Sequence, residues 1–136
     1  MAESASHIFL VEQLADKITK KNKIDINQSY IDHPNSRLKP QKVNGYIPDF
    51  YYKDSIGSKL IIGEAKTYKD VLCKHTIEQV TAFIKKCSEY DISVFVFAVP
   101  WQLVNYSKRM IRKICIDNKF NVKYLVLENL KDVNNV

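Results

Sequence analysis

The sequence predicts an α/β protein: a central mixed β-sheet flanked by helices, with elements in the order α-β-β-β-α-β-α-β. Three observations carry that expectation. Apolar residues recur at helical spacing in three separate stretches. Two strand-like stretches flank Ser55-Ile56-Gly57-Ser58, as in a hairpin. Ile92–Val99 is a near-continuous apolar run of strand length, the pattern of a strand buried on both faces. With 136 residues, 46% of them hydrophobic and 26% charged, the chain suits one globular domain over 1–136 with a single core.

Taken in order, Ser4 or Ser6 caps a first helix running to about Lys20, with Ile8, Val11, Leu14, Ala15 and Ile18 as its apolar stripe. Ile24–Asp32 reads as a strand, with Ile24 and Ile26 alternating before Tyr30. His33–Gly45 is a polar loop. Ile47–Asp54 and Lys59–Thr67 form the hairpin, and Tyr68–Cys73 is a short connection. A second helix spans about Lys74–Tyr90, burying Ile77, Val80, Phe83, Ile84 and Cys87. After the strand Ile92–Val99, Pro100 stops the run and Trp101 anchors a third helix over about Gln102–Asn118. Leu103, Tyr106, Met110, Ile111 and Ile114 face inward. Val122–Leu127 is the last strand, and Asp132–Val136 is a frayed tail. The first three strands can form an antiparallel meander. The helices then carry crossovers to later, buried and parallel strands.

The net charge of +6 favours a polyanionic partner, nucleic acid before an anionic membrane surface. Cys73, Cys87 and Cys115 are odd in number and widely spaced, which argues against a zinc site or a disulfide framework and fits reduced thiols in a cytoplasmic protein. The sequence has no signal peptide and no apolar run long enough to span a bilayer, so no membrane partner is expected. His7, His33 and His75 are scattered without metal-ligand spacing, and none is assigned a catalytic role.

The chemistry concentrates on the hairpin. If the turn is centred between Ile56 and Gly57, Lys53 pairs with Leu60, Tyr51 with Ile62, and Asp49 with Glu64. Directly opposed residues have Cβ atoms about 4.5–5.5 Å apart. Two carboxylates so placed repel unless something positive lies between them, and a hard dication with oxygen ligands is the natural candidate. Lys66, two residues beyond Glu64, falls on the same face. The bland alternative is a cross-strand ion pair of Lys66 with either acid on an exposed face.

Pro48-Asp49, fourteen intervening residues, then Glu64-Ala65-Lys66, on the second and third strands of this element order, resembles the PD-(D/E)xK nuclease superfamily. The small archaeal-type Holliday junction resolvases are similar in size and layout. The resemblance covers about residues 4–99. It implies a restriction endonuclease-like fold and Mg²⁺- or Mn²⁺-dependent hydrolysis of DNA phosphodiester bonds, with no small-molecule organic cofactor. On that resemblance Asp49 and Glu64 bind the metal, the Ala65 carbonyl adds a ligand, and Lys66 positions the attacking water. Glu12 matches a glutamate many members carry on the first helix, and Gln79 a glutamine on the helix after the motif. As residues, Glu12 and Gln79 are equally well read as solvated helix positions, and Glu3 is a further alternative to Glu12. Arg37, Lys39, Lys42, Lys69 and Lys74 flank the site in loops and suit phosphate contacts as a group.

The expected function is thus a metal-dependent DNA endonuclease, with junction or other structure-specific cleavage as the leading subtype. A homodimer is one arrangement this allows, because cutting two strands usually takes two sites and the chain offers one. Besides the bland reading of a basic α/β protein with a chance motif, two other readings stand beside it. One is a nucleic-acid-binding module of the same fold without turnover. The other is a nuclease subunit of a larger restriction, transposition or phage system that needs a partner.

Overall fold

A computed structural model of the chain describes residues 5–129. Glu3, Ser4 and the tail from Asp132 lie outside the described residues. Helix α1 is Ala5–Asn22, and strands β1, β2 and β3 are Tyr30–Ile31, Phe50–Lys53 and Lys59–Ala65. The single turn α2 is Tyr68–Val71 and α3 is Lys74–Cys87; β4 is Ile92–Val99, α4 is Val104–Asn118, and β5 is Lys123–Glu128. The strands lie side by side in chain order as one mixed, open sheet. The pairs β1–β2 and β2–β3 are antiparallel, whereas β3–β4 and β4–β5 are parallel. Among the described residues no helix is long and apolar enough to cross a membrane.

The hairpin register is the expected one: Lys53 opposite Leu60 and Tyr51 opposite Ile62. The turn itself fixes it. Gly57 takes a positive φ of 73°, which glycine adopts without steric cost. The Asp54 carboxylate accepts hydrogen bonds from the Ser58 and Lys59 N–H groups at 2.8 and 3.2 Å. Strand alternation then divides the core in two. Leu60, Ile62, Phe95, Phe97 and Val99 pack beneath α3 and α4, while Phe50, Ile61, Ala65, Val96 and Ala98 pack against α1. Helix α1 lies close to β3 at Gly63, where an added Cβ would stand 2.8 Å from Ile18 Cδ1 and 3.2 Å from Phe50 Cβ.

Several expected elements are corrected. The expected strand Ile24–Asp32 shrinks to β1, because the Asp25 carboxylate accepts the Asn27 N–H at 2.9 Å and turns the chain into a single-turn helix at Ile26–Gln28, leaving Ile26 exposed. The second strand begins at Phe50 rather than Ile47, and Ile47 is exposed. The connection after β3 contains the turn α2. Ile77 is exposed, and Thr76, whose hydroxyl donates to the Asp70 carbonyl, takes the buried position. Trp101 does not anchor α4: it is 60% exposed, and Leu103 enters the core instead. Burial of β4 is confined to Phe95–Val99, and Ile92 is exposed.

Candidate functional site

The hairpin register, continued past Phe50–Gly63, places Asp49 opposite Glu64 and Pro48 opposite Ala65. Proline has no N–H to give to a ladder, so β2 pairing stops there. The edge of β3 at Ala65 is therefore left to side chains. The Ala65 N–H donates to Asp49 Oδ2 at 2.9 Å, and the Ala65 carbonyl lies 3.3 Å from His7 Nε2. The Asp49 N–H donates to Glu64 Oε1 at 3.1 Å, so each acid is tied to the other's strand. Both carboxylates are only 3% exposed.

Lys66 closes the other side. Its Nζ lies 3.2 Å from Glu64 Oε2 and donates to Gln79 Oε1 at 2.5 Å, across to α3. Its backbone is held from two directions. The Lys66 N–H donates to the Ala98 carbonyl at 3.0 Å, and Asn129 Nδ2 donates to the Lys66 carbonyl at 3.0 Å. Burial is the main cause that holds the Glu64 carboxyl well above the usual carboxylate range, and the Asp49 charge adds to it. The Lys66 ammonium and the Asp49 N–H pull the other way without reversing it.

The structure thus brings together Asp49, Glu64, Ala65, Lys66 and Gln79. The bland expectation of an exposed cross-strand ion pair does not hold, since the pair is buried. Glu12 contacts neither acid. It is exposed on α1, with Oε2 2.9 Å from His33 Nε2. From α1 it is His7 that reaches the pair, with Nε2 3.4 Å from Asp49 Oδ2. The sequence shows no metal-ligand spacing for His7, and spacing along the chain says nothing about a residue brought in by helix packing. Asn129 was missed too, although a polar residue just past the end of a parallel strand is a usable signal, since such ends gather at one edge of the sheet. His75 lies on α3 beside the Tyr46 ring, its Nδ1 3.7 Å from Glu78. Among the described residues, no group of three or more His, Cys, Asp or Glu side chains is arranged to hold a metal ion.

The expected phosphate contacts do not form one track. Arg37 lines a groove of about 540 Å³ on the α1 side, together with Glu12 and His33. Lys39 Nζ donates to the His33 carbonyl. Lys42 lines a second concavity of about 410 Å³ with Tyr30, Tyr51 and Lys53. Lys69 on α2 and Lys74 at the start of α3 are exposed. Cys73, Cys87 and Cys115 are free thiols: exposed, buried and half-buried, respectively. Compared with family models, with curated proteins and with solved structures, the chain matches none.

Proposed function

We propose that this chain is a metal-dependent DNA endonuclease of the PD-(D/E)xK, restriction endonuclease-like kind. One observation carries the reading. Two carboxylates are buried directly opposite each other at the end of a hairpin, with a lysine against one of them. Burying like charges side by side works against folding, and such perturbed groups concentrate at functional sites.

The donor set suits a hard divalent cation. Asp49 Oδ1 accepts no hydrogen bond among the described residues, and the Ala65 carbonyl faces the same side of β3 as Asp49 Oδ2. Asp49, Glu64 and that carbonyl would hold Mg²⁺ or Mn²⁺, since magnesium keeps several waters and needs few protein ligands. When bound, the ion would neutralise phosphate charge and acidify a water. Lys66 would then donate to the attacking water or to a phosphate oxygen, where a compact ammonium is most effective. Gln79 accepts from Lys66 Nζ and so fixes where the ammonium points. The Glu12 carboxylate, engaged with His33, has no part in this scheme.

The test is cleavage of labelled single-stranded, duplex, flap and four-way-junction DNA in Mg²⁺ or Mn²⁺ against EDTA, with Glu64→Ala alongside. Metal-dependent cutting lost in Glu64→Ala is the expected result. DNA binding without cutting in either metal would overturn turnover by the chain alone, in favour of a binding module or a subunit that needs a partner.

A further inference from the structure

The concavity beside Lys42 lies on the same face of the sheet as the acids. Side chains alternate along β2, so Asp49, Tyr51 and Lys53 share one face. Tyr30 is opposite Tyr51 in the register and joins that face. At about 3.3 Å per residue, Lys53 lies about 13 Å along the strand from Asp49. The hollow is bounded by β1 and β2 on one side and by the Gln41–Asn44 loop and Lys86 of α3 on the other. The loop is pinned: Asn44 Nδ2 donates to the Ala82 carbonyl of α3 at 3.0 Å.

Its lining combines aromatic rings with cations and contains no acid. Tyr30 and Tyr51 meet edge to face, ring centroids 6.2 Å apart at 78°. Tyr51 is half-buried and packs against the core beneath α3 and α4. Tyr30 remains 38% exposed, so a braced ring is presented to solvent at the sheet edge. Lys42 and Lys53 have no acidic partner among the described residues, whereas Lys86 pairs with Glu89 at 3.5 Å. A solvent-facing aromatic ring between unpaired lysines matches a short stretch of single-stranded nucleic acid, with a base against the ring and flanking phosphates on the ammonium groups. A base within an intact duplex is already stacked on both sides and cannot reach the ring.

We propose that this concavity is a subsite for unpaired nucleotides, a base stacking on Tyr30 and its phosphates meeting Lys42 and Lys53. The substrate of the neighbouring site is then DNA with a single-stranded segment beside the scissile phosphate, not an uninterrupted duplex. The proposal rests on the nuclease reading for what happens at Asp49 and Glu64, but binding at the subsite is independent of turnover.

The experiment is fluorescence anisotropy of the full chain in EDTA, with labelled oligothymidine and with a blunt duplex. Single strand is expected to bind more tightly than duplex. Tyr30→Ala is expected to weaken single-strand binding about tenfold, the scale of one lost base stack, while Tyr30→Phe retains it. Lys53→Ala should reduce the salt slope of single-strand binding by about 0.7. Circular dichroism of each variant separates lost binding from lost folding, and the paired Phe variant keeps the ring if Ala disturbs the edge. Tighter binding of duplex, or a Tyr30→Ala variant that binds single strand as wild type does, would overturn the subsite. Cleavage in Mg²⁺ or Mn²⁺ tells the two ideas apart. Cutting of flap DNA at wild-type rates by Tyr30→Ala overturns the subsite and leaves the nuclease. Tyr30-dependent binding with no cutting of any DNA supports the subsite and overturns turnover by the chain alone.

Discussion

Asp49 is held more tightly than a surface acid. Its Oδ2 accepts the Ala65 N–H, and Glu64 stands opposite with its carboxyl raised by burial and by the Asp49 charge. Without a cation the two charges destabilise each other, and on the proposed reading a bound cation would take them as ligands. Asp49→Asn separates these effects, because an amide oxygen can still accept from Ala65 while the charge is gone. In EDTA the variant is expected to melt at or above the wild-type temperature. Wild type should gain stability from Mn²⁺, about 2.7 kcal/mol at a hundredfold excess over Kd, and Asp49→Asn should gain almost none. Equal stabilisation of both proteins by Mn²⁺ would remove Asp49 from the proposed ligand set. The contrast with His7 is instructive at this scale. Asp49, Glu64 and Lys66 are neighbours through one hairpin, so spacing alone relates them. His7 reaches Asp49 Oδ2 only because α1 packs across Gly63, and that is a fact of tertiary packing.

At the scale of elements, the turn after β2 decides the register, and a one-residue slip would put Asp49 and Glu64 on opposite faces. Asp54 is its titratable part. Desolvation raises the Asp54 carboxyl, but hydrogen bonds from Lys59, Ser58 and Gly57 outweigh it, so its pKa is lowered in the fold. A carboxyl lowered by folding contributes stability above its unfolded pKa, about 3.9, and loses it as pH falls through the folded value. Amide exchange protection at Ser58 and Lys59 should therefore drop as the pH is taken from neutral to below about 3.9. In Asp54→Asn, which accepts hydrogen bonds without titrating, the same amides should show no such step. A matching step in the variant would place the acid sensitivity elsewhere. This hairpin was legible because both its signals are local: period-two strands, and a glycine where φ must be positive. The first strand was not, since Ile24 and Ile26 imitate alternation while the Asp25 carboxylate, by taking the Asn27 N–H, turns the chain. The three long helices were legible from their apolar stripes, although Ile77 shows that a stripe position can still face solvent. The turn α2, four residues long, is too short to show a period.

For the whole molecule, the net charge of +6 says that a polyanion is attracted but not where it docks. Two sets of cations compete for that role. Lys108, Arg109 and Arg112 lie exposed on α4, whereas Lys42 and Lys53 flank the tyrosines on the face that carries Asp49 and Glu64. Replacing Arg109 and Arg112 by Gln, or Lys42 and Lys53 by Gln, takes the net charge from +6 to +4 in both cases. Long-range attraction then falls equally in the two double variants, and any difference between them reports contact. Each phosphate contact contributes about 0.7 to 0.9 to the slope of log K against log salt concentration. The lysine pair is therefore expected to lower that slope by about 1.4 to 1.8 for a DNA carrying a single-stranded flap, and the arginine pair to leave it unchanged. Titrations of a labelled flap DNA at several salt concentrations in EDTA measure both slopes. If the arginine pair instead flattens the dependence and the lysine pair does not, the strand runs over α4. The acids at the end of β2 and β3 would then lie away from the bound phosphates, and the proposed chemistry at Asp49 and Glu64 would lose its substrate.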